Sequence, residues 1–328
     1  MRAFGGGRSP RPSGARSRFP SSGFLLVAAG AALWGTDPLF RFGLAQHVAA
    51  VTIVLAEQTL PLPLIAGTVR RALARAVAEF SAGDWLSLVL VGAGASAVAT
   101  LLFTQAFAFG SPTTPVLLQQ LQPLFAISGA RIVLGERLRA RYWVFLAAAL
   151  SGAYLIAIAD PAKLTLEGSL GGAMSVGAAA LWGWGTVLGR RLLRILSFAE
   201  LTGLRLVFGA IAAAAILAVT GISRAGAGLD GRGLLSLLAL ALIPGLFGLL
   251  VYYRGLRNTP AAAATLGEMA FPLTALLVGF VALHATLTGS QWVGVALLTG
   301  TIGALGLGRQ PAVITPTADR WASEAATA

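Results

Sequence analysis

Residues 24–43 read FLLVAAGAALWGTDPLFRFG. The first eleven are apolar without a polar face, and the run then takes in Asp37, Pro38 and Arg41 without ending. An acid, a helix breaker and a base inside one hydrophobic run fit a lipid-embedded segment whose charges turn towards protein or water. Whether that is the setting depends on the rest of the chain.

The chain has 328 residues, of which 56% are hydrophobic and only 11% charged, with a mean hydropathy of +0.80. A soluble protein carries about 25% charged residues. The apolar residues fall into ten blocks, 23–45, 49–69, 84–109, 113–133, 141–159, 169–189, 198–220, 233–253, 261–283 and 290–308. Each has the roughly 20 residues that cross ~30 Å of hydrocarbon as a helix. The expected fold class is therefore an all-α integral membrane protein with ten transmembrane helices.

The net charge of +12 does not point to nucleic acid, because of where it sits. With the N-terminus inside, the inner segments hold Arg2 to Arg18, then Arg70, Arg71 and Arg75, then Arg131, Arg137, Arg139 and Arg141. Arg190, Arg191 and Arg194, Arg254 and Arg257, and Arg309 and Arg320 continue the series, while the outer loops hold only Lys163, Arg224 and Arg232. This is the positive-inside bias acting at every turn, and it predicts a multi-pass protein of the cell membrane with both termini cytoplasmic. Residues 1–22 are basic and Gly/Pro/Ser-rich, the composition of a disordered tail; residues 309–328 read as a second cytoplasmic tail. A cleaved signal peptide ending near Ala29-Gly30-Ala31 is disfavoured, since the apolar run continues past it into WGTDPLF. The chain has no cysteine, which excludes disulfide and thiolate chemistry.

An internal repeat shows in the rarest residues. Pro123 and Trp143 have the same spacing as Pro272 and Trp292, at an offset of 149, and Trp34 and Glu57 recur as Trp182 and Arg205 at an offset of 148. Each half, 23–160 and 168–308, then holds five blocks. Five is odd, so the second half enters the membrane from the opposite side, giving two inverted five-helix repeats with a site between them.

WGTDPLFRF in the first block, LQQLQPLFAISGARIVLGERL in the fourth, and TLGEMAFPLTALLVGFVALHATLTGSQWVG in the ninth and tenth resemble the EamA-type transporters of the drug/metabolite transporter superfamily. The resemblance covers about 23–308. It implies ten helices, two repeats, cytoplasmic termini and export of small metabolites. The sequence departs from the family pattern where a second Gly-Glu-Arg should follow block 9 and His284-Ala285-Thr286 stands instead. Glu268, moreover, precedes Pro272 by four residues rather than one.

Motifs for chemistry are sparse. Lys163 is the only lysine and lies outside any P-loop, the two histidines are far apart, and Gly226 to Gly231 follows no strand, so no nucleotide, metal or cofactor site is expected. What remains is intramembrane charge: Asp37, Arg41, Glu57, Arg205 and Glu268. Facing lipid, each costs roughly 2.5–3.5 kcal/mol on insertion scales, so together they must face protein, water or one another. Asp37 and Arg41 are one helical turn apart and can pair, while Pro38 bends the helix between them. Glu57 and Arg205, at equivalent repeat positions with opposite signs, are expected to pair across the axis. Gln119 and Gln122 share a face of block 4, and Trp34 and Trp182 are candidates for cavity walls, with Pro38, Pro123 and Pro272 as kinks. Structural glue is the plainer reading of each of these polar groups. The Gly-rich runs of blocks 3, 6 and 10 read as close-packing surfaces, and Trp85, Trp143 and Trp292 as interfacial anchors.

The reading is a secondary transporter that exports small metabolites or drugs by alternating access, with protons as the drive through Glu268. The alternative is a non-transporting membrane protein, an assembly partner or a lipid-handling enzyme. The partners expected are a small-molecule solute, membrane lipids and protons, not nucleic acid; a homodimer stays open. The orientation is testable on this cysteine-free chain. An Arg75→Cys variant should react with an impermeant thiol reagent only from the cytoplasmic side, and labelling from outside intact cells would reverse the topology.

Overall fold

The computed structural model describes residues 21–45, 47–106, 109, 117–157, 169–221, 230–282, 284 and 286–307. Both tails and the block-5 to block-6 linker lie outside these residues. Among the described residues the protein is helical throughout, without a β-sheet.

Block 1 is two helices, Ser21–Trp34 and Asp37–Leu44, parted by a turn at Gly35 and Thr36. Block 2 runs as Ala50–Thr59, a 3-10 turn Leu62–Ile65 that follows Pro61 and contains Pro63, and Ala66–Glu79. Block 3 is Ala82–Val89, a π-helical stretch Leu90–Val98, and Ala99–Ala106. Block 4 is described from residue 117 and continues as Gln122–Val133, and block 5 is Ala140–Ala157. Block 6 is Ser169–Leu192 and block 7 Phe198–Thr220. Block 8 is Gly231–Leu240, a second π-helical stretch Ala241–Phe247 containing Pro244, and Gly248–Leu256. Block 9 is Ala261–Glu268 and Ala270–Ala282, and block 10 is Gly289–Leu307.

Among the described residues, eight blocks are long and apolar enough to cross a membrane. The other two are block 6, whose glycines and tryptophans dilute its hydropathy, and block 4, whose start lies outside the described residues. Block 2 is longer than its apolar run. The expected loop 70–83 is helix as far as Glu79, because Arg and Ala carry the helix on. Ser81 and Asp84 then form a capping box that starts block 3 at once.

The repeat register read from prolines and tryptophans reappears in atomic contacts. A Cβ on Gly35 would meet the Phe271 carbonyl and the Ala275 amide, and a Cβ on Gly183 would meet those of Gln122 and Ala126, the equivalent residues of the other half. Gly23 lies against the Gly255 carbonyl as Gly171 lies against that of Ala106. Trp34 packs on Tyr252 at 4.7 Å between ring centroids, and Trp182 on Phe103, the counterpart of Tyr252, at 5.4 Å. Block 1 thus packs on blocks 8 and 9 as block 6 packs on blocks 3 and 4. Blocks 5 and 10 meet through Gly152 and Gly294, each against the other's carbonyl.

The glycine runs divide. Gly92, Gly183, Gly185 and Gly189 are close-packing positions; in block 10 Gly306 packs on Leu25, while Gly300 and Gly303 have open space where a Cβ would go. Trp143 and Trp292 stand half-exposed at helix starts, and Trp85, also near a helix start, is partly buried between Phe80 and Phe208. The left-handed turn after block 4 is taken by Gly135 at φ 64°, and its counterpart after block 9 is His284 at φ 53°. The second half has kept the turn without the glycine that makes it easy.

Gly35→Ala and Gly183→Ala force a methyl against backbone and should each cost about 1–3 kcal/mol, read as lower melting of the detergent-purified protein. Gly300→Ala should leave the melting unchanged.

Candidate functional site

A cavity of about 430 Å³ lies between the two halves, within the ~300–1,000 Å³ range of small-molecule sites. All nine pathway candidates reach it: Trp34, Asp37, Arg41, Glu57, Gln119, Gln122, Trp182, Arg205 and Glu268. Of the three prolines, Pro38 and Pro272 line it; Pro123 is buried outside it.

The broken helices make the cavity. The turn at Gly35 and Thr36 lets block 1 change course, so that Asp37, Pro38 and Arg41 face inward. Block 9 breaks at Met269 and block 4 turns at Gln120-Leu121, each three residues or fewer before its proline, where the ring removes a backbone hydrogen bond. The π-helical stretches of blocks 3 and 8 contribute Ala95, Ser96, Pro244 and Gly245 to the wall. Such widened turns are rare and mark functional sites. Sequence reading missed them, although Pro244-Gly245 inside an apolar block was a legible sign.

Arg41 lies between two acids. Its Nε donates to Asp37 Oδ1 at 2.6 Å, and its Nη2 donates to Asp37 Oδ2 at 2.6 Å and to Glu57 Oε2 at 2.8 Å. The pairing expected within block 1 is present. The Glu57–Arg205 pair is not: Arg205 donates from Nε to Ser96 Oγ at 2.6 Å and from Nη1 to the Tyr253 hydroxyl at 2.7 Å. The reason is the symmetry itself. Arg205 reaches into block 3 at Ser96, and Glu57 reaches the equivalent place in block 8 beside Gly245, so the two side chains diverge.

Glu268 is buried and accepts three hydrogen bonds, from the Tyr252 hydroxyl at 2.5 Å, Thr186 Oγ1 at 2.9 Å and Gln122 Nε2 at 2.6 Å. The donors come from blocks 8, 6 and 4, so both halves hold this carboxylate. Tyr252 and Thr186 are further site residues that apolar-block reading gave no reason to select.

One end of the bundle is tied across the halves. Arg191 donates to Asp84 at 3.0 Å, Arg75 lies 3.6 Å from Glu200, and the Glu136 carboxylate accepts the amides of Ala261 and Ala262 at 2.9 and 3.0 Å. Tyr142 donates to the Ala262 carbonyl. Burial raises the Glu136 carboxyl above its ordinary range, while the two amides and the charges of Arg190 and Arg194 pull the other way. Glu136 therefore caps the helix Ala261–Glu268, whose far end is the cavity carboxylate. This explains the Gly-Glu of block 4: glycine makes the turn and glutamate fills free N–H groups at the start of block 9 in the other half.

Two matching helical halves that enclose a charged cavity, tied together at one end, are the architecture of a membrane transporter. The sequence matches the EamA-like transporter family over residues 21–158 and again over 169–307, and the chain belongs to that family. It is 30% identical to the riboflavin transporter ImpX of Fusobacterium nucleatum subsp. nucleatum, over 79% of this chain and 88% of that one. It is 27% identical to the uncharacterized transporter YwfM of Bacillus subtilis, over 60% and 65%. A solved structure titled only "Crystal structure of protein" superposes with a TM-score of 0.68 at 21% identity, over 88% of this chain and 97% of that one, and agrees in fold. The protein is a multi-pass membrane transporter with a small-molecule substrate; the enzyme and assembly-partner alternatives are set aside.

Double-mutant cycles read the charge arrangement directly. Arg41→Gln and Glu57→Gln should couple by about 0.5–3 kcal/mol in unfolding measurements, as contacting residues do. Glu57→Gln and Arg205→Gln should couple by clearly less.

Proposed function

We propose that this chain is a secondary transporter that carries a planar heterocyclic solute out of the cell by alternating access, driven by protons through Glu268. Its two inverted repeats, about 23–160 and 168–308, rock about the central cavity, with both termini and the tied end in the cytoplasm. The carrying observation is the position of Glu268. It sits on the cavity wall, bonded by three neutral donors from both halves, at the end of a short helix whose start is clamped by Glu136. Relative movement of the halves must rearrange those bonds. A carboxylate held by neutral donors, with no cation in ion-pair contact among the described residues, is free to gain or lose a proton when they do.

The cavity wall supports the solute class. Trp34, Phe103, Trp182 and Phe271 present aromatic surface, and Gln119, Gln122 and Thr186 supply neutral polar groups. Flat rings stack on aromatic side chains, and a few polar groups then fix their orientation. The name of the 30%-identical relative gives riboflavin as the first solute to test. Opening the cytoplasmic end means breaking Arg191–Asp84, Arg75–Glu200 and the Glu136 cap, all of which join one half to the other.

Proteoliposomes loaded with riboflavin, then with a wider set of metabolites, measure transport and its direction. Glu268→Gln keeps shape and hydrogen bonding but cannot ionise. It should abolish accumulation driven by a pH gradient and spare solute exchange; uphill transport with an unchanged pH profile would remove Glu268 from coupling.

A further inference from the structure

Arg205 and Gln58 are neighbours at the cavity wall with complementary unmet hydrogen bonds. The Arg205 guanidinium carries five N–H groups in a planar fork. One goes to Ser96 and one to Tyr253, whose ring also lies 5.7 Å from the guanidinium carbon. No carboxylate stands within ion-pair distance of it among the described residues, because Arg41 holds Glu57 and neutral donors hold Glu268. Most of the fork therefore lacks an acceptor, and Arg205 faces the cavity.

Gln58, one residue from Glu57, also lines the cavity and is only 6% exposed. Its Oε1 is buried without a donor. The oxygen lies against Gly209, where a Cβ would come within 2.7 Å of it and 3.2 Å of the Ser96 β-carbon. Gly209 is one helical turn beyond Arg205 on block 7, and Ser96 is the residue that Arg205 holds. Both side chains thus border Ser96. The absence of a side chain at Gly209 makes the room for the Gln58 amide. Reaching a solute requires the amide to turn away from Gly209, and its terminal torsion is a broad one. A buried polar atom without a partner is costly, about 1–3 kcal/mol, so a ligand that supplies one gains accordingly.

We infer that Arg205 and Gln58 read the edge of a cyclic imide or lactam in the transported solute. Arg205 donates to a ring carbonyl, and Gln58 accepts the adjacent ring N–H. The pair sets specificity by demanding an acceptor and a donor side by side. A solute with a carbonyl but no neighbouring N–H leaves Gln58 unpaired, and sites built on such pairing reject that analogue strongly. The three carboxylates of the wall already hold donors, which leaves the Arg205 fork to meet an acceptor of the solute. The inference rests on the planar-heterocycle reading and goes beyond it by naming the recognised atoms.

The test compares lumiflavin, which has a ring imide N–H between two carbonyls, with its N3-methyl derivative, by equilibrium binding to the purified full chain. Wild-type protein should bind lumiflavin at least tenfold more tightly. Gln58→Met keeps the shape without an oxygen and should bring the two ligands within twofold of each other. Gln58→Glu, which keeps an acceptor, should retain the preference and guards against a variant that fails to fold. Arg205→Lys, which keeps the charge and loses the fork, should weaken lumiflavin about tenfold. Equal binding of both ligands by the wild type, or a preference that survives in Gln58→Met, overturns the inference and leaves the heterocycle reading standing. Binding of neither ligand overturns both.

Discussion

Charge without water must find a partner, and this constraint organises the molecule. Arg41 shows how it is met. One guanidinium satisfies Asp37 from its own helix and Glu57 from the next block, so that three charges in the membrane share one bonded cluster. A planar fork with several donors can serve two acids at once, which a point charge on lysine does less well. The cluster also fixes where block 1 must bend, because Asp37 and Arg41 face the cavity only once the helix has broken at Gly35 and Thr36.

Broken backbone is the second half of the same arrangement. Lipid forbids unsatisfied N–H and C=O groups, so turns, proline kinks and π-helical stretches survive only where protein or a cavity covers them. Here the breaks of blocks 1, 4 and 9 and the wide turns of blocks 3 and 8 all fall at the middle of the bundle. The pseudo-symmetry matches the breaks of blocks 4 and 9 and the wide turns of blocks 3 and 8, whereas block 6 runs unbroken where block 1 turns. Close glycine contacts such as Gly35 on Phe271 and Gly183 on Gln122 hold the broken segments against their neighbours.

The halves share a packing register but differ in helix breaks and in chemistry. Gly135 and His284 adopt the same left-handed turn, but Glu136 after the first caps block 9 of the other half, and alanine follows His284. Gln119 corresponds to Glu268, and Glu57 to Arg205. These differences put chemically distinct groups on the two sides of one shared cavity. The Glu136 cap lies at the tied end and Glu268 at the cavity, joined by one buried helix of eight residues.

The membrane fold, the repeat and the charged residues of the site were legible in the sequence. Lipid imposes a block length and a charge bias that composition alone records, and proline and tryptophan are rare enough to carry a register. Asp37 with Arg41 was legible too, because their spacing is local to one helix. The partners of Glu57, Arg205 and Glu268 were not. They depend on how blocks cross, and repeat equivalence suggested a contact between Glu57 and Arg205 that the symmetry in fact sends in opposite directions. Tyr252, Thr186 and Gln58 were invisible for the same reason: an ordinary polar residue in an apolar block acquires meaning only from what packs against it. Sequence determined which groups had to be buried, and tertiary structure decided which of them meet, because side-chain pairing across helices follows crossing geometry that no one-dimensional spacing contains.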